Sequence, residues 1–72
     1  MTLKEFARCC LTELTITIIE LKDYVLIESQ TYKGVEAFFT ASLNAENKKL
    51  FDRKVKWFAE DLDRDTMKVR II

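Results

Sequence analysis

TITIIELKDYVLIESQTY, Thr15 to Tyr32, is the stretch on which the reading of this chain turns. Leu14, Ile16 and Ile18 alternate with Thr15 and Thr17, the two-residue period and β-branched composition of a strand with one dry face. Lys22 to Tyr24 is polar enough to turn, and Val25 to Tyr32 reads as the returning strand, with Val25 and Ile27 on one face. The stretch therefore predicts a β-hairpin. Its alternation slips after Ile18, because Ile19 and Leu21 are apolar too. Partial covering of both sheet faces explains the slip; a bulge is the alternative.

Upstream, Leu3, Phe6, Ala7 and Cys10 fall at i, i+3, i+4 and i+7, one stripe of a short helix. Thr2 stands where a cap belongs, and Glu5 three residues on completes a capping box. Downstream, Gly34 is the only glycine of the chain and marks the exit from the second strand. Val35, Phe38, Phe39 and Leu43 then share one side of a second helix. Ser42 and Asn44 are cap-type residues that break it, predicting either one interrupted helix or two short ones, the second running to about Arg53. Val55, Trp57 and Ala59 alternate with Lys54, Lys56 and Glu60 in a third strand, while Met67, Val69 and Ile71 alternate with Lys68 and Arg70 in a fourth. The polar Asp61–Asp65 segment joins them as a second hairpin.

The order α-β-β-α-β-β predicts an α+β domain: a small four-stranded antiparallel sheet made of two β-hairpins, with helices on one face. The fourth strand, ending the chain, is expected to offer an edge that a second copy extends, so a homodimer is the expected assembly. At 72 residues the core is near the smallest that sustains a fold.

Composition excludes much chemistry. There is no histidine, and the two cysteines are adjacent. Zinc lacks its four ligands within one chain, a Ser-His-Asp triad lacks its base, and Cys9 lacks a general base to activate it. Cys10 is expected in the core and Cys9 on the flank. Asp61, Asp63 and Asp65 have the spacing of a calcium-loop opening, yet the sixth and twelfth positions are Thr66 and Ile72 instead of glycine and glutamate. Phosphate-cradling loops need glycines that are missing. The expectation is a protein with no catalytic residues, no cofactor and no metal. No apolar run approaches the roughly 18 residues of a membrane span or resembles a secretory leader, so the expected location is cytoplasmic, away from membranes.

Twelve basic and twelve acidic residues cancel, but not locally. From Glu46 to Lys56 five positive charges face two negative, and from Trp57 to Asp65 four negative face one positive. Trp57 is in phase with Val55 and Ala59 and is expected in the core; Phe58 is expected on the open sheet face. That face, with Tyr24, Tyr32, Ile19 and Leu21 leaving it partly apolar, is the expected contact for a protein partner. The candidate partner-binding residues are Phe58, Lys54, Lys56, Arg53 and Tyr32. A small anionic ligand held by Arg53, Lys54 or Lys56 at a dimer interface is the second reading. Nucleic-acid binding by the 48–56 basic strip is the third and least favoured, given the zero net charge.

"TLKEF" in the first helix, "YKG" closing the first hairpin, "LFDRKV" before the third strand and "MKVRI" at the end together resemble short uncharacterised proteins encoded by phages and prophages of Gram-positive bacteria. The resemblance covers almost the whole chain. It implies an α+β fold with two hairpins and no catalytic residue. It further implies a protein that works by binding another, a host or a phage protein.

Overall fold

The computed structural model describes Met1 to Ile72. The chain forms α1 (Leu3–Cys9), β1 (Thr15–Lys22), β2 (Val25–Lys33), α2 (Val35–Leu43), a 3-10 turn (Ala45–Asn47), α3 (Lys48–Phe51), β3 (Val55–Asp61), a second 3-10 turn (Leu62–Arg64) and β4 (Thr66–Ile71). At α1 the capping box is made: the Thr2 hydroxyl accepts from the Glu5 N–H at 3.2 Å, and the Glu5 carboxylate accepts from the Thr2 N–H at 2.9 Å. Leu3, Phe6, Ala7 and Cys10 are buried as one stripe, although Cys10 already lies one residue beyond the helix.

Gly34 precedes α2 at φ 93°, a conformation that suits glycine. The α2 face differs from the expected one. Phe38 is fully buried and Ser42 is buried with it, its hydroxyl donating to the Phe39 carbonyl, while Phe39 and Leu43 are exposed. The short turn that follows rotates the chain before α3, so a continuous i+4 stripe through Leu43 is not needed. Asn44 makes the break: its side chain accepts from the Glu46 N–H at 2.9 Å, and Asn47 donates back to the Ala41 carbonyl at 3.0 Å. α3 then delivers Phe51 to the core, where it meets Phe38 with ring centroids 5.6 Å apart.

The sheet is mixed, in the order β2-β1-β4-β3. The expected hairpins β1·β2 and β3·β4 are antiparallel, but they join through a parallel β1·β4 pair. The fully antiparallel sheet of the sequence reading is thus corrected, and so is the edge assigned to the fourth strand: β4 is interior, and β2 and β3 are the edges. The element order also gains the separate short α3. The reason lies in burial. Ile16, Thr17, Ile18 and Ile19 of β1 are all buried, as are Met67, Val69 and Ile71 of β4, and strands this apolar gain most from a neighbour on each side. The helices cover one face, and the core forms between them and Ile16, Ile18, Met67, Val69 and Ile71. The thinnest extent, 18 Å, matches one sheet plus one helix layer.

The β1–β2 turn is a two-residue connection, with Lys22 paired to Val25 and positive φ at both Asp23 (52°) and Tyr24 (66°). That is the type I′ geometry whose twist matches a hairpin. The slip after Ile18 reflects partial covering of the second face, where Ile19 is buried and Leu21 exposed, and not a change of phase in β1. β2 carries an extra residue, Ser29, opposite the Ile18–Ile19 step, while β1 keeps its alternation against β4 and turns Ile19 and Leu21 to the open face.

Candidate functional site

β3 holds the positions that matter most. Val55 faces Ile71, then Lys56 is passed over, and Trp57 faces Arg70 while Phe58 faces Val69. One extra residue at Lys56 inverts every later side chain. Phe58 is therefore on the helix-covered side with buried Val69, and Trp57 is on the open side with Arg70. This reverses the expected placing of both residues. Trp57 is 37 % exposed and does not belong to the core cluster. The open face carries it in a row with Glu28, Ile19 and Arg70, whose Nε is buried without a hydrogen-bond partner.

Phe58 stands at the rim of the helix layer. α1 is only seven residues long, so the layer ends at Cys9–Leu11 and leaves the outer part of β3 uncovered. The Phe58 ring lies 5.1 Å from that of Phe6, centroid to centroid, yet remains 57 % exposed. Between this rim and the strand runs an apolar groove of about 290 Å³, walled by Phe6, Cys9, Cys10, Leu11, Phe58 and Met67. Glu60 is the one ionisable carboxylate on it. Burial, with Glu60 adding to it, raises the Cys10 thiol above its ordinary value, so Cys10 is the opposite of an activated nucleophile. Leu11 is 94 % exposed at the mouth.

The groove opens beside unpaired backbone. The Leu3 N–H donates to the Arg53 carbonyl at 2.8 Å and the Val55 N–H donates to the Met1 carbonyl at 2.9 Å, so Met1–Leu3 occupies the start of the outer edge. The Ile72 N–H bonds the Lys54 carbonyl from the other side at 2.9 Å. In an antiparallel ladder these directions alternate. With Trp57 and Ala59 bonded inward opposite Arg70 and Lys68, the N–H and C=O of Phe58 and Glu60 point outward, where no strand pairs with them.

The other sequence-derived candidates do not gather with Phe58. Arg53 forms an ion pair with Glu20 and donates through Nε to the Ile72 carbonyl at 3.2 Å, so its guanidinium serves the fold. Tyr32 is half-buried on the helix side, 5.5 Å from Phe38 and 6.3 Å from Phe51, and burial raises its phenol above the ordinary value. Lys54 and Lys56 are exposed along β3. None of the three surface depressions is lined by Arg53, Lys54 or Lys56. The widest, about 610 Å³, is a shallow polar trough along α2 from Tyr32 to Asn47. No cluster of three or more potential metal ligands exists, and no helix is long and apolar enough to cross a membrane. Sequence reading flagged Cys9, Cys10 and Phe58 separately. What it missed was that they share one groove with Leu11, an apolar residue that belongs to neither the helical stripe nor the strand alternation.

No family model, no curated protein and no solved structure matches this chain. The class defined by fold and site is a small mixed-sheet α+β domain with an apolar groove beside an open strand edge.

Proposed function

We propose that this chain is a non-enzymatic protein-binding module that takes up an extended segment of a protein partner as an added strand on β3. The observation that carries the reading is the coincidence of two features: the apolar groove at Phe58 opens beside the outward N–H and C=O groups of Phe58 and Glu60. Backbone pairing supplies affinity to any strand, and a pocket under alternate side chains supplies selection. The interaction surface thus moves from the open sheet face to the rim of the covered one. A phage or prophage origin, resting on the short motifs alone, and a cytoplasmic location, which the two free thiols support, belong to the same proposal.

The test is a selection of displayed linear peptides against the whole chain. Binders with an alternating apolar pattern are expected. Their binding should disappear in Phe58→Asp, which charges the groove, and in Glu60→Pro, which removes an outward N–H but no β4 bond. Leu26→Glu, on the open face, should leave it intact. Binding indifferent to Phe58→Asp sinks the reading.

A further inference from the structure

Charge is distributed unevenly along the β3 edge. Lys56 lies at its start, just after Lys54; Glu60 and Asp61 end it, and Asp63 follows in the 3-10 turn. Antiparallel self-pairing is the arrangement that sets such a strand's basic start against its own acidic end, whereas parallel pairing stacks like charges. We propose, resting on the strand-addition reading above, that the segment taken up on β3 is β3 of a second copy of this chain, packed antiparallel about a two-fold axis at Ala59.

The register follows from what is free. Met1–Leu3 covers the outer edge through Val55, so an incoming strand has the stretch after Lys56 to use. Centring the axis on Phe58 runs the partner's Asp61 into Val55, whose N–H is already bonded to Met1. Centring it on Ala59 matches Phe58 of each copy with Glu60 of the other, so that their outward N–H and C=O groups bond reciprocally. On the covered side the two grooves then meet, with each Phe58 diagonal to the other across the axis, within reach of an aromatic ring. On the open side the small Ala59 pair sits on the axis between the two Trp57 rings. Lys56 of each copy falls opposite Leu62 of the other, between its Asp61 and Asp63. The two four-stranded sheets become one continuous sheet, and the contact is isologous, so it closes at a dimer.

Sedimentation equilibrium of the intact chain tests this. The expected mass rises with concentration toward twice 8.5 kDa. Lys56→Glu sets acidic side chains together, and Glu60→Lys/Asp61→Lys sets basic ones together; each should weaken self-association by about tenfold. An equimolar mixture of the two variants should restore the dimer as a heterodimer, because reversed ends again face opposite charge. That recovery also shows that both variants fold. Glu60→Pro should be monomeric. A wild-type chain that stays monomeric while still capturing displayed peptides in a Phe58-dependent way overturns the self-pairing and leaves the strand-addition reading standing. A chain that does neither overturns both. A dimer that ignores the charge reversals and Glu60→Pro places the interface elsewhere and also refutes the proposal.

Discussion

Tyr24→Gly should stabilise the protein, although it deletes an aromatic ring from a small domain. Tyr24 has φ 66° in the two-residue β1–β2 turn and its side chain is 96 % exposed, so almost no burial is lost with the ring. A side chain bearing a Cβ in the left-handed region costs roughly 1–2 kcal/mol. Glycine removes that cost but adds freedom to the unfolded chain, about 0.4–1 kcal/mol in the other direction. The net gain is about 0.5–1 kcal/mol. For a domain of this size that is a rise of about 2–8 °C in Tm, or about 0.5 M in the urea midpoint with an unchanged slope. Asp23, at φ 52°, is of a type that visits this region more readily, so Asp23→Gly should gain less. Tyr24→Ala keeps the Cβ and separates backbone from ring: it should show none of the gain. Urea unfolding followed by far-ultraviolet circular dichroism reads all three. If Tyr24→Ala stabilises as much as Tyr24→Gly, or if Tyr24→Gly lowers the midpoint, the turn argument is wrong. A stabilised background would also help the binding tests, since the turn is remote in the fold from β3.

Gly34→Ala should cost about 1–3 kcal/mol in urea unfolding, the conformational penalty at φ 93° alone, because an added Cβ there meets no atom within 4 Å. Arg53→Ala, which breaks the pairing with Glu20 and the bond to the Ile72 carbonyl, should cost about 1 kcal/mol, while Lys54→Ala changes stability by less than about half that. A thiol reagent followed by peptide mapping should modify exposed Cys9 quickly and Cys10 only on unfolding; Glu60→Gln should move Cys10 ionisation to lower pH, since the carboxylate adds to burial in raising it. The Glu5 carboxylate is held below its ordinary range by the Thr2 N–H and then the Thr2 hydroxyl. Its contribution is full above the unfolded carboxylate value and fades as pH falls through the lower folded value. In Glu5→Gln that acid-side slope should flatten, read as Tm against pH.

Local chemistry was legible in the sequence wherever it is self-contained. The Thr2–Glu5 box, the β1–β2 turn, the Gly34 exit and the Asn44 break each depend on residues within a few positions, and each forms as the spacing predicts. What failed depends on partners distant in sequence. Alternation says that β1 and β4 each have a dry face; it does not say that they lie side by side and parallel. The run Ile16 to Ile19 was the available signal, because a strand buried on both faces belongs in the interior of a sheet. The bulge at Lys56 left a weaker signal. Phe58 interrupts the polar phase of Lys54, Lys56 and Glu60, but one out-of-phase aromatic does not locate an extra residue, and only pairing to β4 reveals that Trp57 and Phe58 have exchanged faces.

That exchange sets the two edges of the sheet apart. A sheet of this order has two edges to defend, and strands that expose unpaired backbone invite uncontrolled pairing. β2 is interrupted at its middle: Ser29 bulges there and turns its hydroxyl to the Ile18 carbonyl, and charged Glu28 flanks the bulge. β3 is defended only at its start, by the Met1–Leu3 bridge and the bulge at Lys56. Past Lys56 the same device that ends protection also swings Phe58 into the groove and aligns its backbone outward. A continuous strand without the extra residue would put Phe58 on the open face and cover the groove with Trp57. The edge would then be free but would have no pocket beside it. Lys56 is thus the position that couples the two halves of the proposed site, and it does so through the backbone, whatever its charge contributes.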